Sequence, residues 1–66
     1  MRVQINGQWQ QFDRAPTVAE LLEARHLPAK RVAVELNRQI LPRALHAQTL
    51  LNDNDAIEIV TLVGGG

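Results

Sequence analysis

The chain has 66 residues and no cysteine, so it offers no disulfide, no thiolate metal ligand and no thiol nucleophile. Its formal net charge is zero, which removes the electrostatic basis for binding nucleic acid or an anionic membrane. Its apolar runs are all shorter than the roughly 18 residues of a membrane-spanning helix. We therefore expect a cytoplasmic protein, monomeric when free, that binds other proteins and neither nucleic acid nor membranes.

Side chains that could support catalysis or bind a metal are few and scattered. His26 and His46 lie in polar connections, where we expect both to be solvated. Asp53 and Asp55 resemble part of a calcium loop, but the other spaced ligands and the distal bidentate glutamate of such a loop are missing. A turn is the favoured interpretation of these aspartates, and we predict no metal site.

The first segment is typical of a β-hairpin. Apolar and polar residues alternate from Arg2 to Asn6, as in a half-buried strand, and Asn6-Gly7 suits a type I′ turn. With a two-residue loop, Phe12 faces the core and Trp9 faces outward, whereas a one-residue bulge would exchange them. We expect Phe12 to be buried and Trp9 to be at least partly exposed.

A helix is predicted to begin near Val18 and to end before Pro28. Thr17 and Glu20 match the capping box, in which their side chains satisfy backbone N–H groups at a helix start. The helical spacing of apolar residues turns Glu20 and Glu23 toward solvent, which argues against paired acid–base catalysis. Proline disfavours helical geometry at the residue before it and cannot continue the helix.

The rest of the sequence predicts strands joined by turns. Alternation predicts a strand over 32–36, a turn at Asn37-Arg38 and a short strand over 39–41 that Pro42 stops. A polar and apolar connection with one 3₁₀ turn follows over 45–51. A turn over 52–55 leads to a closing strand over 56–62. Strands wrapped around one helix indicate an α+β roll, in which the first and last strands are parallel central neighbours.

The closing strand leads directly into three glycines at the end of the sequence. Glycine leaves a carbonyl carbon sterically open and tolerates almost any backbone conformation, so we predict Gly66 to be the reactive residue and Gly64 and Gly65 to form a tail that threads a narrow slot. Val60 and Leu62 are predicted to face away from the helix, immediately before that tail. We predict that partners contact these residues; the other candidate contacts are Val63, Arg43 and Trp9.

Five segments are similar in order and spacing to those of a known family: Asn6-Gly7, Thr17-Val18-Ala19-Glu20-Leu21-Leu22, Val32-Ala33-Val34-Glu35-Leu36-Asn37, Ile40-Leu41-Pro42-Arg43 and Val63-Gly64-Gly65-Gly66. Together they resemble the ThiS family of thiamine-biosynthesis sulfur carriers over essentially the whole chain. Two turns depart from the family pattern. This chain has Asp53-Asn54-Asp55 where the family commonly has Asp-Gly-Asp, and Asn37-Arg38 where the family frequently has Asn-Gly.

The resemblance implies a ubiquitin-like β-grasp fold, with a mixed sheet of four to five strands packed on one helix. Residues 1–62 would form the β-grasp domain, and residues 63–66 a flexible C-terminal tail. It further implies a carrier protein and not an enzyme, with no cofactor bound by the chain itself.

The resemblance also implies a reaction sequence at Gly66. A ThiF-like, E1-like adenylyltransferase would adenylate the C-terminal carboxylate with ATP and magnesium. Sulfur from a cysteine-derived donor would then replace AMP and give a thiocarboxylate. That sulfur would pass to a ThiG thiazole synthase, which builds the thiazole ring.

Three other functional hypotheses are compatible with the sequence. The small subunit of molybdopterin synthase is a sulfur carrier with the same terminal chemistry, and a ubiquitin-like modifier would instead form an amide with lysine. A β-grasp module that only binds other proteins would not need its tail.

Overall fold

Residues 1–62, which the computed structural model describes, form a mixed five-stranded sheet and one α-helix. The strands are β1 (Arg2–Ile5), β2 (Gln8–Gln11), β3 (Val32–Leu36), β4 (Gln39–Ile40) and β5 (Ala56–Thr61), and the helix is α1 (Val18–Ala24). Two 3₁₀ segments lie at Ala29–Arg31 and Arg43–Gln48. The predicted tail, residues 63–66, lies outside the described residues.

The β1–β2 hairpin has the predicted two-residue turn. Asn6 and Gly7 adopt φ values of 50° and 84°, and Ile5 pairs with Gln8 on either side of them. This register brings Phe12 beside Met1, so that Phe12 is half-buried against the core, while Trp9 lies on the opposite face with 49% of its surface exposed. Both orientations are confirmed, although Phe12 is not fully buried.

Helix α1 begins at the predicted capping box. The Thr17 hydroxyl accepts a hydrogen bond from the backbone N–H of Glu20 at 3.0 Å, and the Glu20 carboxylate accepts one from the backbone N–H of Thr17 at 2.8 Å. The helix ends at Ala24, four residues before Pro28, and Glu20 and Glu23 are exposed as predicted.

The strand order in the sheet is β2-β1-β5-β3-β4. Strands β1 and β5 are parallel, with α1 in the connection between them, whereas the other neighbouring strands are antiparallel. The predicted roll and its parallel central pair are therefore confirmed.

The core lies between α1 and one face of the sheet. Its buried apolar side chains come from the helix, from the three central strands and from the segment before the last turn: Val3, Ile5, Val18, Leu21, Leu22, Val32, Val34, Leu51, Ile57 and Ile59. The opposite, outer face of the sheet is uncovered by any described element, so its side chains are available to other molecules.

The remaining turns use residues that enter the left-handed region. Asn37 and Arg38 have φ values of 51° and 70°, so this turn resembles that of the first hairpin even without glycine. Asn54, with φ of 72°, takes the place of the glycine expected in the turn before β5. Asparagine enters this region readily, whereas arginine does so at some conformational cost.

Candidate functional site

Strand β5 is hydrogen-bonded to its neighbours up to Leu62, the residue before the tail. It pairs with β3 from Ile57 to Thr61, and the N–H of Leu62 donates to the carbonyl of Arg31 at 2.8 Å. The predicted site residues Val63, Gly64, Gly65 and Gly66 lie outside the described residues. The exit of the tail is therefore fixed relative to the sheet, one residue beyond β5.

Aliphatic side chains on the outer face lie near this exit. Val60 and Leu62 are 57% and 55% exposed, whereas Ile59 is buried on the inner face, as the predicted alternation requires. Ile40 is 78% exposed and lies opposite Glu35, on the same outer face. We refer to Val60 and Leu62 as the outer aliphatic patch; Ile40 lies outside it, two strands from β5 and in the row of Glu35 and Glu58.

Ile40 was not among the residues predicted from the sequence to contact partners. The turn at Asn37-Arg38 contains two residues, which sets the register of β4 against β3 and opposes Ile40 to Glu35. Because Glu35 alternates with the buried Val34, this register places Ile40 on the outer face. The spacing of that turn was the signal that could have revealed it.

Two carboxylates face each other on the same surface. Glu35 of β3 is the direct partner of Glu58 of β5, and both side chains are exposed. Like charges at directly opposite positions of antiparallel strands are destabilising. The middle of the outer face is therefore acidic and lies between Ile40 and the end of β5.

The structure does not place Trp9 next to the tail exit. Trp9 pairs with Gln4, which also pairs with Ala56, so Trp9 shares a row with the beginning of β5 and not with its end. The guanidinium of Arg2 lies 4.0 Å from the centre of the indole ring, a cation–π contact. Arg43 is exposed in the 3₁₀ segment that follows β4.

The two histidines lie in different environments. His26 is exposed, as predicted, but His46 is only 4% exposed, so the prediction that it is solvated is wrong. The 3₁₀ segment Arg43–Gln48 contacts α1 and directs His46 inward. Its Nε2 lies 3.2 Å from the carbonyl oxygen of Leu41, and its buried Nδ1 has no hydrogen-bond partner among the described residues.

The predicted turn at Asp53 and Asp55 is confirmed, because both carboxylates accept hydrogen bonds from the chain. Asp53 accepts from the backbone N–H of Arg2 at 2.9 Å. Asp55 accepts from the backbone N–H of Asn52 at 2.7 Å and from the side-chain amide of Asn37 at 3.0 Å. Within residues 1–62, no group of three or more acidic, cysteine or histidine residues is placed to hold a metal ion.

A groove beside α1 does not resemble a catalytic centre. It has a volume of about 510 Å³ and lies at the C-terminal end of α1, where its ionisable lining residues are Glu23 and His26.

The pKa of Glu20 is lowered by two interactions with Thr17. The larger effect comes from the backbone N–H of Thr17, which donates to the Glu20 carboxylate, and the smaller one comes from the hydroxyl of Thr17. This shift reflects helix capping.

Among the helices of residues 1–62, none has the length and apolar character needed to cross a membrane.

Three comparisons relate the chain to known proteins. The sequence model of the ThiS family matches residues 3–66. The sulfur carrier protein ThiS of Escherichia coli (strain K12) is 35% identical over 66 residues, which are 100% of both chains. The crystal structure of the thiamine biosynthesis protein ThiS from Geobacter metallireducens has a TM-score of 0.85 and 36% identity, and covers 100% of both chains.

A larger protein contains a segment similar to the whole chain. The thiazole synthase of Paramagnetospirillum magneticum is 41% identical over 66 residues, which are 100% of this chain but 20% of that protein. The similarity to the small sulfur carriers thus extends over their full length, whereas the chain spans only a fifth of the synthase.

Proposed function

The chain belongs to the ThiS family, and we propose that it carries sulfur for the synthesis of the thiamine thiazole on its last residue, Gly66. In this role it is a carrier protein and not an enzyme. The family match that continues to residue 66 is the observation that carries the proposal, because it includes the glycines at which the chemistry would occur.

The chemistry at Gly66 requires activation. An α-carboxyl group has a pKa of roughly 3.3–3.7, so at neutral pH it is a carboxylate that resists nucleophilic attack. A ThiF-like adenylyltransferase would join a carboxylate oxygen to the α-phosphorus of magnesium-bound ATP, with loss of pyrophosphate. Attack of the terminal persulfide sulfur of the cysteine-derived donor on the carbonyl carbon would then expel AMP and form an acyl disulfide. A second thiol would reduce this acyl disulfide, leaving a thiocarboxylate on the carrier and a disulfide on the donor.

The tail is suited to delivering this group into another protein. Four residues from Val63 to Gly66 span about 13 Å when extended, at roughly 3.3 Å each. Three of them are glycines, which present no side chain to a narrow channel. The folded domain would remain at the channel entrance while Gly66 reaches the active site.

The outer aliphatic patch would provide the docking surface. Its members Val60 and Leu62 immediately precede the tail, and exposed aliphatic groups at that position have no evident role in the chain itself. The similarity to a segment of a thiazole synthase supports an enzyme of the ThiG type as the acceptor.

Intact-mass measurement tests the proposal directly. The chain ending at Gly66 is incubated with the adenylyltransferase, magnesium-ATP and a sulfur donor. The expected product is heavier by the difference between one sulfur and one oxygen atom, and the gain disappears when ATP is left out. A ladder of lysine conjugates, or an unmodified chain in the presence of an active adenylyltransferase, would contradict the proposal.

A further inference from the structure

The two edges of β5 are covered to different extents. On one side, β3 pairs with β5 as far as Thr61. On the other side, pairing with β1 stops at Ile57, because β1 turns into the hairpin at Asn6 and Gly7. Within residues 1–62, the last part of β5 therefore has a neighbouring strand on only one side.

The backbone polar groups of β5 alternate between these two sides. The carbonyl of Ala56 and the N–H of Leu62 bond toward β3, to Asn37 and Arg31 respectively. The carbonyls of Asp55 and Ile57 bond toward β1, where they accept from Gln4 and Asn6. Even-numbered residues of β5 thus direct their backbone groups to β3, and odd-numbered residues direct theirs to β1.

Asn6 covers one further odd-numbered position. Its Oδ1 accepts from the N–H of Ile59 at 2.7 Å, and its Nδ2 donates to the carbonyl of Ile59 at 3.2 Å. The side chain replaces the missing strand for this one residue. The next odd-numbered position is Thr61, which neither β1 nor the Asn6 side chain reaches.

Thr61 consequently directs its N–H and C=O to an edge that no other strand of residues 1–62 covers. The residue is exposed. An uncovered strand edge of this kind is a template for pairing with another extended chain.

We propose that an extended segment at the entrance of the thiazole synthase pairs with β5 through the N–H and C=O of Thr61. The inference rests on the proposed function, which brings Gly66 into that enzyme. The tail after Leu62 reaches only about 13 Å at roughly 3.3 Å per residue, so the wall of the channel entrance must lie close to Thr61.

Backbone pairing at this position would set the register of the tail. Main-chain hydrogen bonds provide affinity in strand addition, whereas pockets for alternate side chains provide specificity. Val60 and Leu62, the residues before and after Thr61 in the sequence, have their side chains on the outer face and would supply the apolar contacts. Pairing at Thr61 would therefore fix how far Gly66 extends into the enzyme.

The test removes the N–H of Thr61 with a proline. In Thr61→Pro the fold should persist, because the lost N–H points away from β3 and proline is tolerated at such edges. We expect affinity for the thiazole synthase to fall by about threefold to tenfold, the usual effect of one hydrogen bond. Thr61→Val keeps the N–H and should bind like the unmodified chain.

A second measurement decides the matter if the proline variant is unstable. Replacing the amide N–H of Thr61 with an ester oxygen by protein ligation leaves the side chain unchanged, and should weaken binding to a similar extent. In the unmodified chain, amide hydrogen exchange at Thr61 should slow when the synthase is bound. Unchanged affinity of the ester form together with unchanged exchange would overturn the inference.

Loading of Gly66 separates this inference from the proposed function. Each variant is first converted by the adenylyltransferase and its mass is measured. Failure of the unmodified chain to be loaded contradicts the proposed function. Normal loading, combined with ester and proline forms that bind the synthase as tightly as the unmodified chain, overturns only the pairing at Thr61.

Discussion

The side chain of Asn6 binds both backbone polar groups of Ile59, through Oδ1 at 2.7 Å and Nδ2 at 3.2 Å. The same residue occupies the hairpin turn with φ of 50°. Asparagine therefore has two roles here, because it enters the left-handed region and also continues the pairing of β5 beyond the end of β1.

Replacing Asn6 with glycine separates these roles. Asn6→Gly keeps the turn conformation but removes both hydrogen bonds, so we expect the free energy of unfolding to fall by about 1–2 kcal/mol. The measurement is urea denaturation followed by circular dichroism. Asn54→Gly is the matched control, since Asn54 also has a positive φ and should change stability by only about 0.5 kcal/mol or less. Equal effects of the two variants would contradict the second role of Asn6.

Local patterns in the sequence were sufficient to predict most of the fold. The two-residue turn at Asn6-Gly7 fixes the hairpin register, and this register determines which face Phe12 and Trp9 occupy. The capping box at Thr17 fixes the start of α1. Alternation along β5 places Val60 and Leu62 outward, so this part of the candidate site was predictable as well.

Features that depend on distant contacts could not be predicted in this way. His46 lies in a connection of mixed polar and apolar residues, and its burial arises because the segment Arg43–Gln48 contacts α1. The open edge at Thr61 depends on where β1 ends relative to β5, which is a property of pairing between the two ends of the chain. Neither relation leaves a local pattern.

The opposed carboxylates of Glu35 and Glu58 predict a stabilising substitution. Glu58→Lys replaces repulsion with attraction across β3 and β5, so the free energy of unfolding should rise by about 0.5 kcal/mol. Glu58→Gln, which only removes the charge, should give a smaller gain. Both gains should shrink in concentrated salt, where exposed charges are screened. Denaturation at low and high salt measures this, and a loss of stability in both variants would contradict it.

The capping carboxylate of Glu20 predicts a pH-dependent contribution to stability. Its pKa in the folded chain is below the ordinary value of 4.5. A lowered pKa means that the charged form stabilises the fold above pH 4.5, and that this contribution is lost as the pH falls through the folded-state pKa.

Two variants at this cap check the prediction. Glu20→Gln should flatten the dependence of stability on pH in the acidic range, because its side chain does not ionise. Thr17→Ala removes the cap itself and should cost about 1 kcal/mol at neutral pH. Urea midpoints measured above and below pH 4.5 test both. An unchanged acidic slope in Glu20→Gln would show that another group is responsible.

A carboxylate within the outer aliphatic patch should weaken docking to the thiazole synthase. Val60→Glu and Leu62→Glu place a charge where we propose an apolar contact, so affinity should fall about tenfold or more. Both side chains already face solvent, and the fold should remain intact. Gln11→Glu adds the same charge at an exposed position on the edge strand β2 and should bind normally. Equal losses in all three variants would point to general charge repulsion.

Substitution of Gly66 tests the chemistry apart from docking. In Gly66→Ala a methyl group is placed next to the reacting carbonyl carbon, where it would crowd the channel and displace the reacting atoms. Misplacement by about 1 Å can reduce rates by about a hundredfold, so thiocarboxylate formation should be strongly impaired. Affinity for the adenylyltransferase should change little, because the docking surface on β5 is unaltered. Mass spectrometry of the loaded chain and a binding titration measure the two quantities separately. A normal yield of thiocarboxylate would exclude steric access as the reason for a glycine at this position, whereas equal losses of binding and loading would indicate that Gly66 contributes to docking itself.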